Sequence, residues 1–433
     1  MRVNSSVDGV HMHLENKKVS FIFFWVIWIL YTVVYMTKNC YSAAMASIVS
    51  EGVLTKSQTG LLTALFHLAY GPLQILGGIF ADKYNPERLV KIGLVGAAIS
   101  NTLIFFNQTY SLMLIAWTFN GTIQFALYPA VFKIVSSQLE AEYRIKGVYF
   151  LSLSSTSGMV LAYLVAAVVS KWQYNFALSA VALFLLAIGF HFVCNWVERY
   201  MVPDTRTPEE RRPKVPQVVT TKISAWRLFW LSGFTIFVVV TALRFLVTNA
   251  VNTLSATMLM ESYTSISHSM GNILNILIIV SGVLGITLVN RFVYPRITHN
   301  EMTATVLLIA IALVPMLLIC FTGKTPVFLI VICLCVTSAI LTGSGLLVSH
   351  ACAAFAKYGM NGLATGVYNA LASLSIVAQS YGVVKIADYS GWNVACYFLF
   401  ALLLIAGAST LIAIPLWKKF KQGRISLGGE QNE

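Results

Sequence analysis

The chain has 433 residues, a formal net charge of +13 and a mean hydropathy of +0.76, with 58% hydrophobic and 10% charged residues. A soluble protein carries about 25% charged residues, so this composition excludes a soluble enzyme or binding protein. The apolar runs, roughly 20 to 30 residues long, do not fit the alternating strands of a membrane barrel and predict an all-α membrane protein. The basic residues cluster in short loops, which indicates membrane topology rather than nucleic-acid binding.

Twelve transmembrane helices are predicted, in two six-helix bundles at residues 1–197 and 227–433. Between them, residues 198–226 contain the charged, proline-rich run PDTRTPEERRPKVP, which predicts a flexible cytoplasmic linker. Two six-span bundles joined in this way are typical of rocker-switch carriers with a site near the membrane midplane. The predicted spans are 20–49, 57–81, 89–106, 110–136, 146–170, 174–197, 227–260, 269–291, 302–322, 326–355, 362–386 and 391–417.

Basic residues in the loops set the predicted orientation. One side has only one lysine in each of four loops, at Lys56, Lys171, Lys324 and Lys385, whereas the other side carries the linker and most of the basic residues. The positive-inside rule therefore places both termini and the linker in the cytoplasm, in a multi-pass protein of the cell membrane. A cleavable signal is not predicted, because the first span is too long and lacks a cleavage site.

The first span, Ser20–Val49, contains one formal charge, Lys38, about two thirds of the way along. A lysine near the membrane centre costs roughly 3 kcal/mol, so we expect it to face a wet cavity that an anion enters. Arg244 occupies the matching place in the seventh span. Together they predict a central anion site to which each bundle contributes one cation. The alternative is that each cation stabilises the fold by hydrogen bonds to backbone carbonyls.

Carboxylates are missing from the interior of every predicted span. Proton-driven carriers usually relay protons through buried carboxylates or histidines, so their absence favours anion exchange over proton symport. His67 in the second span and His350 in the tenth are the remaining groups that could titrate. His67 could also donate to the substrate or make a structural hydrogen bond.

Hydroxyl and amide side chains near the two cations could bind a sugar or glycerol moiety. Tyr35 and Tyr41 stand three residues before and after Lys38, and we expect them to share its helix face. Each polar residue of this kind could instead make an interhelical hydrogen bond. The other candidates are Tyr70, Gln74, Asn120, Gln124 and Tyr128 in the N-terminal bundle, with Asn249, Asn252, Tyr368 and Asn369 in the C-terminal bundle.

The loop between the second and third spans carries a specific motif. Leu76–Leu94 reads LGGIFADKYNPERLVKIGL, with Asp82 at the membrane edge followed by Lys83 and Arg88. It resembles the G-x-x-x-D-[RK] loop of the major facilitator superfamily, in which the acidic residue holds neighbouring helix ends in one conformation. The resemblance implies a major facilitator fold and a gating role for Asp82, Lys83 and Arg88. The alternative is an ordinary charged turn.

The resemblance extends to the organophosphate:phosphate antiporter family, which includes glycerol-3-phosphate and hexose-6-phosphate transporters. It rests on AYGPLQILGGIFADKYNP at 69–86, TKNCYSAAM at 37–45 and TALRFLVTNAVNTLSATML at 241–259. It is echoed by Tyr128 and Pro129 with Lys133, and by ATG and SGW at 364–366 and 390–392. By this similarity, Lys38 and Arg244 stand where the family has two phosphate-binding arginines.

Three positions depart from the family pattern. Lys38 replaces an arginine, and a lysine offers a point charge rather than a bidentate fork. Gln74 replaces a lysine, and Ser154 or a neighbour replaces a histidine. Because a carboxylate or a singly charged organic anion needs less positive charge, such a substrate stays an alternative to a phosphate ester.

The sequence therefore predicts a carrier that is not an enzyme and exchanges an organic phosphate for inorganic phosphate. The alternatives are a carrier of a carboxylate and a transport-inactive sensor of sugar phosphate, a type that the family includes. No cofactor or metal is expected, since the seven cysteines lie in or beside apolar spans without metal-ligand spacing. Gly343 and Gly345 lie in an apolar helix and predict a hinge or a packing site. The expected partners are a small anionic substrate and the bilayer, with no nucleic acid, and carriers of this class usually work as monomers.

Overall fold

The computed structural model describes residues 12–203, 224–293, 295–296, 300–355, 358 and 360–422, and within these it leaves out a few side chains, including that of Asp82. The chain divides into two compact units. Unit 1 is Met1–Glu209 with Ser267–Ile276, and unit 2 is Glu210–Ile266 with Leu277–Glu433. Their junction at residues 209 and 210 lies inside the predicted linker.

Helices account for almost all of the described part of unit 1, as the sequence predicts. Two short strands flank them. The elements are β1 Met12–Leu14, α1 Lys17–Ser50, α2 Lys56–Lys83, α3 Pro86–Phe106, α4 Tyr110–Ile123, α5 Leu127–Ser137, α6 Ala141–Val168, α7 Gln173–Glu198 and β2 Met201–Pro203.

Unit 2 is helical throughout its described part, and two of its helices contain π-helical stretches, Val289–Val293 and Ala378–Val383. The first π stretch extends α10, and the second joins α13 to α14. The helices are α8 Ala225–Leu231, α9 Phe234–Ser262, α10 His268–Leu288, α11 Glu301–Ile319, α12 Val327–Ala353, α13 Asn361–Val377, α14 Val384–Ser390 and α15 Trp392–Lys421.

Local signals in the sequence explain where several helices begin. Thr55 accepts a hydrogen bond from the Gln58 amide while the Gln58 side chain accepts one from the Thr55 amide, which is a capping box at the start of α2. Asn85 caps α3, and Pro86 is its first residue, a position where proline lacks no needed donor. These helices begin within a few residues of the predicted spans.

Nine of the described helical segments are long and apolar enough to cross a membrane. They correspond to nine of the twelve predicted spans. The other three predicted spans, 57–81, 110–136 and 146–170, correspond to α2, to α4 with α5, and to α6. The helical class is confirmed, while the count of twelve membrane crossings stays a prediction.

The start of the predicted linker is ordered as a strand. β2 follows α7 directly and pairs antiparallel with β1, with His13 opposite Val202. The Leu14 amide donates to the Gln138 carbonyl at 2.7 Å, and the Leu14 side chain is fully buried. The chain before α1 is therefore tied to the end of α7 and to the turn after α5. Residues 204–223, which carry most of the predicted linker, lie outside the described residues.

The two units repeat one contact between their first and last long helices. In unit 1 the Trp172 indole, beside the start of α7, donates to Glu51 after α1 at 2.9 Å. In unit 2 the Trp392 indole, at the start of α15, donates to Glu261 at the end of α9 at 2.8 Å. This pairing recurs at equivalent helix ends, and Lys38 and Arg244 occupy matching places in α1 and α9. Both correspondences indicate internal duplication of the chain.

At the opposite end of unit 2, a buried carboxylate pairs with a partly exposed lysine. Glu301, at the start of α11, is only 2% exposed and accepts from the Trp417 indole at 2.7 Å and from Lys421 Nζ at 2.9 Å. A buried carboxylate needs such partners, because leaving one unpaired costs far more than losing a surface contact.

We expect Lys421→Met to destabilise the purified protein by about 2 kcal/mol, since it removes a hydrogen bond to a buried charge. Thermal unfolding in detergent would measure the change. Lys419→Met, an exposed lysine on the same turn of α15, is the matched control and should leave the melting temperature unchanged. Equal melting temperatures for the two variants would mean that the pair contributes nothing.

Candidate functional site

Lys38 is half-buried in the second half of α1, where α2 packs beside it. Its Nζ lies 4.0 Å from the centre of the Tyr70 ring and 5.1 Å from that of Tyr35. Among the described residues, no carboxylate lies within ion-pair distance of it. The electron-rich faces of two tyrosines thus stabilise the ammonium group in place of a counter-ion.

Tyr35 and Tyr70 belong to a group of four tyrosines beside this lysine, here called the tyrosine cluster: Tyr31, Tyr35, Tyr70 and Tyr128. The Tyr31 ring lies 5.1 Å from Tyr35, edge to face, and 5.7 Å from Tyr128, stacked. Tyr70 lies near Tyr31 and Gln74, and the buried Tyr31 hydroxyl has no hydrogen-bond partner among the described groups. Helices α1 and α2 therefore bring phenol groups to the cation and α5 adds Tyr128 to the cluster, and phenols can donate to an oxyanion or to sugar hydroxyls.

The structure gathers most of the predicted binding residues of unit 1 at this place. Tyr35, Gln74 and Tyr128 belong to the tyrosine cluster or contact it directly. His67, one turn before Tyr70 on α2, is half-buried and close enough to Lys38 for their charges to interact.

The prediction that Tyr41 shares the face of Lys38 is wrong. Its ring packs 5.2 Å from Trp117, its hydroxyl donates to the Thr59 carbonyl at 3.4 Å, and it is 1% exposed. Tyr35 and Tyr41 are six residues apart, which is about 1.7 helical turns, so the two side chains point roughly 120° apart. Tyr35 faces the cluster, and Tyr41 fills the core between α1, α4 and α7.

Gln124 marks a break between α4 and α5. Its side chain is buried and donates to Asn120 in the preceding turn at 2.6 Å, so the described contacts place it in its own segment rather than beside Lys38. Gly77 and Gly121 let α2 approach closely here: a Cβ on either would collide with a carbonyl, of Phe125 and of Phe66 respectively. The break is thus packed against α2 backbone instead of being exposed to lipid.

Arg244 lies in the middle of α9 and is 1% exposed. Its Nη1 donates to the Leu341 carbonyl on α12, and Tyr368 on α13 lies near enough for its hydroxyl to interact with the guanidinium charge. Among the described groups Nε has no partner. Gly345 leaves room for the guanidinium, since a Cβ there would stand 3.6 Å from Nη2.

The Arg244 contacts are compatible with both interpretations of this residue, an anion-binding cation and a cation that stabilises the fold. A backbone carbonyl does hold the guanidinium, as the structural alternative expects. The five donors of an arginine exceed the one described acceptor, the Leu341 carbonyl, so donors are left that could bind an oxyanion. Tyr368, predicted to bind substrate, lies near Arg244.

Two further side-chain hydrogen bonds in unit 2 involve the predicted residues Asn249 and Asn252. Asn249 Nδ2 donates to Gln379 Oε1 at 2.7 Å, and Ser338 Oγ donates to Asn252 Oδ1 at 2.8 Å. Gln379 belongs to the π-helical stretch Ala378–Val383, a type of irregularity often found at functional sites. The sequence interpretation missed Gln379 and the Leu341 carbonyl. A π stretch and a backbone acceptor leave no reliable sequence pattern.

The predicted gating residues stay untested by these contacts. The side chain of Asp82 lies outside the described residues, and Lys83 and Arg88 are exposed at the end of α2 and the start of α3. Next to them, Lys133 Nζ donates to the Ala81 carbonyl at 2.6 Å. This ammonium group bonds to one of the carbonyls left without a partner at the C-terminus of α2, where the helix dipole is negative.

Other chemistry finds no support in the described part of the chain. It contains no group of three His, Cys, Asp or Glu side chains that could hold a metal ion, and all seven cysteines are free.

Known proteins with similar sequences are membrane proteins. The sequence model described as the Major Facilitator Superfamily matches residues 27–380. The membrane sensor protein UhpC of Salmonella typhimurium is 28% identical over 170 residues, which span 39% of this chain and 38% of the sensor. The probable hexose phosphate transport protein of Chlamydia trachomatis is 21% identical, with 90% of each chain covered. The match to the sensor thus spans well under half of its length.

Solved structures share the fold. A bacterial homologue of the human lysosomal transporter Spinster, in an inward-facing and occupied conformation, superposes with a TM-score of 0.70 at 14% identity, covering 93% of this chain and 98% of the other. The peptide transporter POT in complex with alafosfalin gives 0.68 at 14% identity, covering 91% and 95%. These relatives are transporters rather than enzymes. At such identities the likeness concerns the fold alone.

Proposed function

We propose that this chain, which belongs to the Major Facilitator Superfamily, carries a phosphate ester of a sugar or of glycerol in exchange for inorganic phosphate. The coarser statement, a multi-pass membrane transporter of a small molecule, follows from the family. The finer one rests on two helices: α1 holds the half-buried Lys38 and α9 the buried Arg244, each without a described carboxylate partner. We place both termini on the cytoplasmic side, as loop charges indicate.

Charge matching supports a phosphate as the anion. A phosphate ester carries about −1.5 to −2 charges at neutral pH, which Lys38 and Arg244 would together neutralise. A hydrogen bond between an ionised donor and an ionised acceptor is roughly twice as strong as a neutral one. The tyrosine cluster, with Tyr368 in unit 2, would then bind the hydroxyl groups of the organic part.

The same residues suggest how exchange would work. Lys38 lies against tyrosine faces and Arg244 donates to a backbone carbonyl, each inside its own unit. A phosphate that bridges them would favour the closed arrangement over the open ones, because only that arrangement lets both cations share one anion. After the anion is released on the other side, the carrier would need a second anion to close again and return.

Counterflow in proteoliposomes tests this proposal. Vesicles loaded with unlabelled phosphate should take up labelled phosphate and, separately, labelled hexose 6-phosphate, and vesicles without internal anion should take up neither. Lys171→Gln, which removes an exposed lysine of unit 1, is the matched control for any change at Lys38 and should keep full activity. Uptake of a dicarboxylate with no phosphate counterflow would instead establish the carboxylate alternative.

The sensor alternative has one specific observation in its favour, the 28% identity to UhpC over part of the chain. A sensor should bind hexose 6-phosphate without moving it. Thermal stabilisation of the purified protein by the ligand, combined with no counterflow, would identify a sensor and contradict the carrier.

A further inference from the structure

A short helix, α8, stands between the predicted linker and the long helix α9. The predicted seventh span begins at residue 227, but the helix is interrupted after Leu231. Gly233 turns the chain with a φ of 75°, a value that glycine adopts readily, and the buried Ser232 hydroxyl accepts from the Phe234 amide at 3.3 Å. The seven residues of α8 rise only about 10 Å, so it is a separate element that cannot cross a membrane.

One side of α8 packs into unit 2. Phe229 is buried, and its ring lies 5.0 Å from that of Phe355, which in turn lies 5.0 Å from Phe420 near the end of α15. Gly233, which follows α8, also packs against α15, since a Cβ there would stand 3.0 Å from the Leu416 Cβ. These contacts hold α8 beside the C-terminal end of α15.

The other side of α8 is exposed and aromatic. Trp226 and Trp230 are 62% and 66% exposed. They are four residues apart, so they share one face of the helix, and the exposed Arg227 lies next to them. Two exposed indoles would be unfavourable in water, whereas tryptophan is enriched at membrane interfaces, where the ring meets apolar chains and the N–H meets polar groups.

Positive charge borders this face. Arg227 lies on α8 itself, and Lys418 and Lys419 are exposed near the end of α15. Among the described residues, none of these three has a carboxylate within ion-pair distance. Lys419 stands three residues after Leu416, which Gly233 approaches, so it lies on the side of α15 that faces α8. Two indoles and three cations therefore lie near one end of unit 2.

We propose that α8 and the end of α15 form a binding surface for anionic phospholipid headgroups, here called the lipid surface. It consists of Trp226, Arg227, Trp230, Lys418 and Lys419. Its place in the cytoplasmic leaflet follows from the orientation proposed above, whereas the lipid class follows from the charges themselves. A lipid bound there would stabilise the start of α9, because α8 precedes that helix directly.

Complementarity favours a phospholipid over a soluble anion. The cytoplasmic leaflet carries anionic lipids, and basic residues close to its surface are attracted to them. Lysine and arginine can place their charged ends at a lipid phosphate while their methylene stems lie along the apolar chains. The exposed indoles add an apolar area that acyl chains cover and that a soluble anion leaves in water.

Lipid titration of the purified protein tests the proposal. In detergent, phosphatidylglycerol should raise the melting temperature by about 3 °C or more beyond the effect of phosphatidylcholine, because a ligand that binds the folded state stabilises it. The variant that combines Arg227→Gln, Lys418→Gln and Lys419→Gln should lose most of this difference. Its melting temperature without lipid should stay unchanged, since all three side chains are exposed.

A matched control removes the same charge elsewhere. The variant that combines Lys171→Gln, Lys324→Gln and Lys385→Gln changes three exposed lysines in loops predicted on the opposite side of the membrane. It should respond to phosphatidylglycerol as the wild type does, and equal responses of the two triple variants would overturn the proposal. Glycerol phosphate, which lacks acyl chains, should affect both variants equally. An effect that is lost only when the lipid surface is changed would identify a site for a soluble anion and reject the lipid.

Fluorescence gives a second readout that does not depend on stability. The emission of the two indoles is the difference between the wild type and the variant with Trp226→Phe and Trp230→Phe. In nanodiscs, lipids brominated near the headgroup should quench this emission about twofold more than lipids brominated near the chain ends. No quenching by either lipid would overturn the proposal. Neither measurement involves transport, so a failure of phosphate counterflow would reject the proposed carrier and leave the lipid surface standing.

Discussion

Replacing Arg244 by alanine is expected to abolish transport, lowering the counterflow rate by about 100-fold or more. Removing one member of a buried, hydrogen-bonded charge pair typically costs several kcal/mol of binding. Here the substitution removes the cation that unit 2 contributes and also leaves the Leu341 carbonyl without its guanidinium donor. Initial counterflow rates, normalised to the amount of protein in the vesicles, would measure the loss.

Loss of folding has to be separated from loss of function at this position, because Arg244 is fully buried. Arg244→Lys keeps the charge and should retain wild-type thermal stability with a rate reduced about tenfold, since lysine cannot bind bidentately. Arg291→Ala, at an exposed site of unit 2, is the control and should transport normally. A wild-type rate for Arg244→Ala would reject the assignment of Arg244 to the site.

Lys38→Gln is expected to raise the KM for a phosphate ester about 10- to 100-fold, the equivalent of one hydrogen bond between charged groups. The glutamine can still lie against Tyr70, so the fold should persist. Lys38→Arg should keep the KM or lower it, because a guanidinium stacks on tyrosine and binds phosphate with two donors.

The pair of Lys38 variants also discriminates between substrates. A phosphate offers several oxygens to the guanidinium fork, so Lys38→Arg should favour it over a singly charged anion. Transport of the phosphate ester and of a monocarboxylate would be compared in the same vesicles. If Lys38→Arg lost phosphate transport while Lys38→Gln kept it, a direct ion pair between Lys38 and the phosphate would be contradicted.

Residue patterns predicted the features that depend on whole segments. Hydropathy located the helices, and the isolated charges at Lys38 and Arg244 predict the binding role proposed for α1 and α9, because a charge in a long apolar run is expensive and therefore informative. The motif matches around Asp82 indicated the family, which the sequence comparison confirms.

Features set by side-chain direction were harder to predict. Tyr41 was expected beside Lys38 and instead packs on Trp117, because six residues along a helix turn a side chain to a different face. The Leu341 carbonyl that holds Arg244, and the π stretch that carries Gln379, come from tertiary packing and irregular backbone. Neither has a composition or a period that a single sequence displays.

The central proposal is that one anion is bound by Lys38 and Arg244 together, and a structure determined with a bound phosphate ester tests it most directly. We predict phosphate oxygens within about 3 Å of both Lys38 Nζ and the Arg244 guanidinium, with Lys38 moved off the Tyr70 ring. A phosphate that contacts only one of the two cations, or a Lys38 side chain that faces lipid, would contradict the proposal.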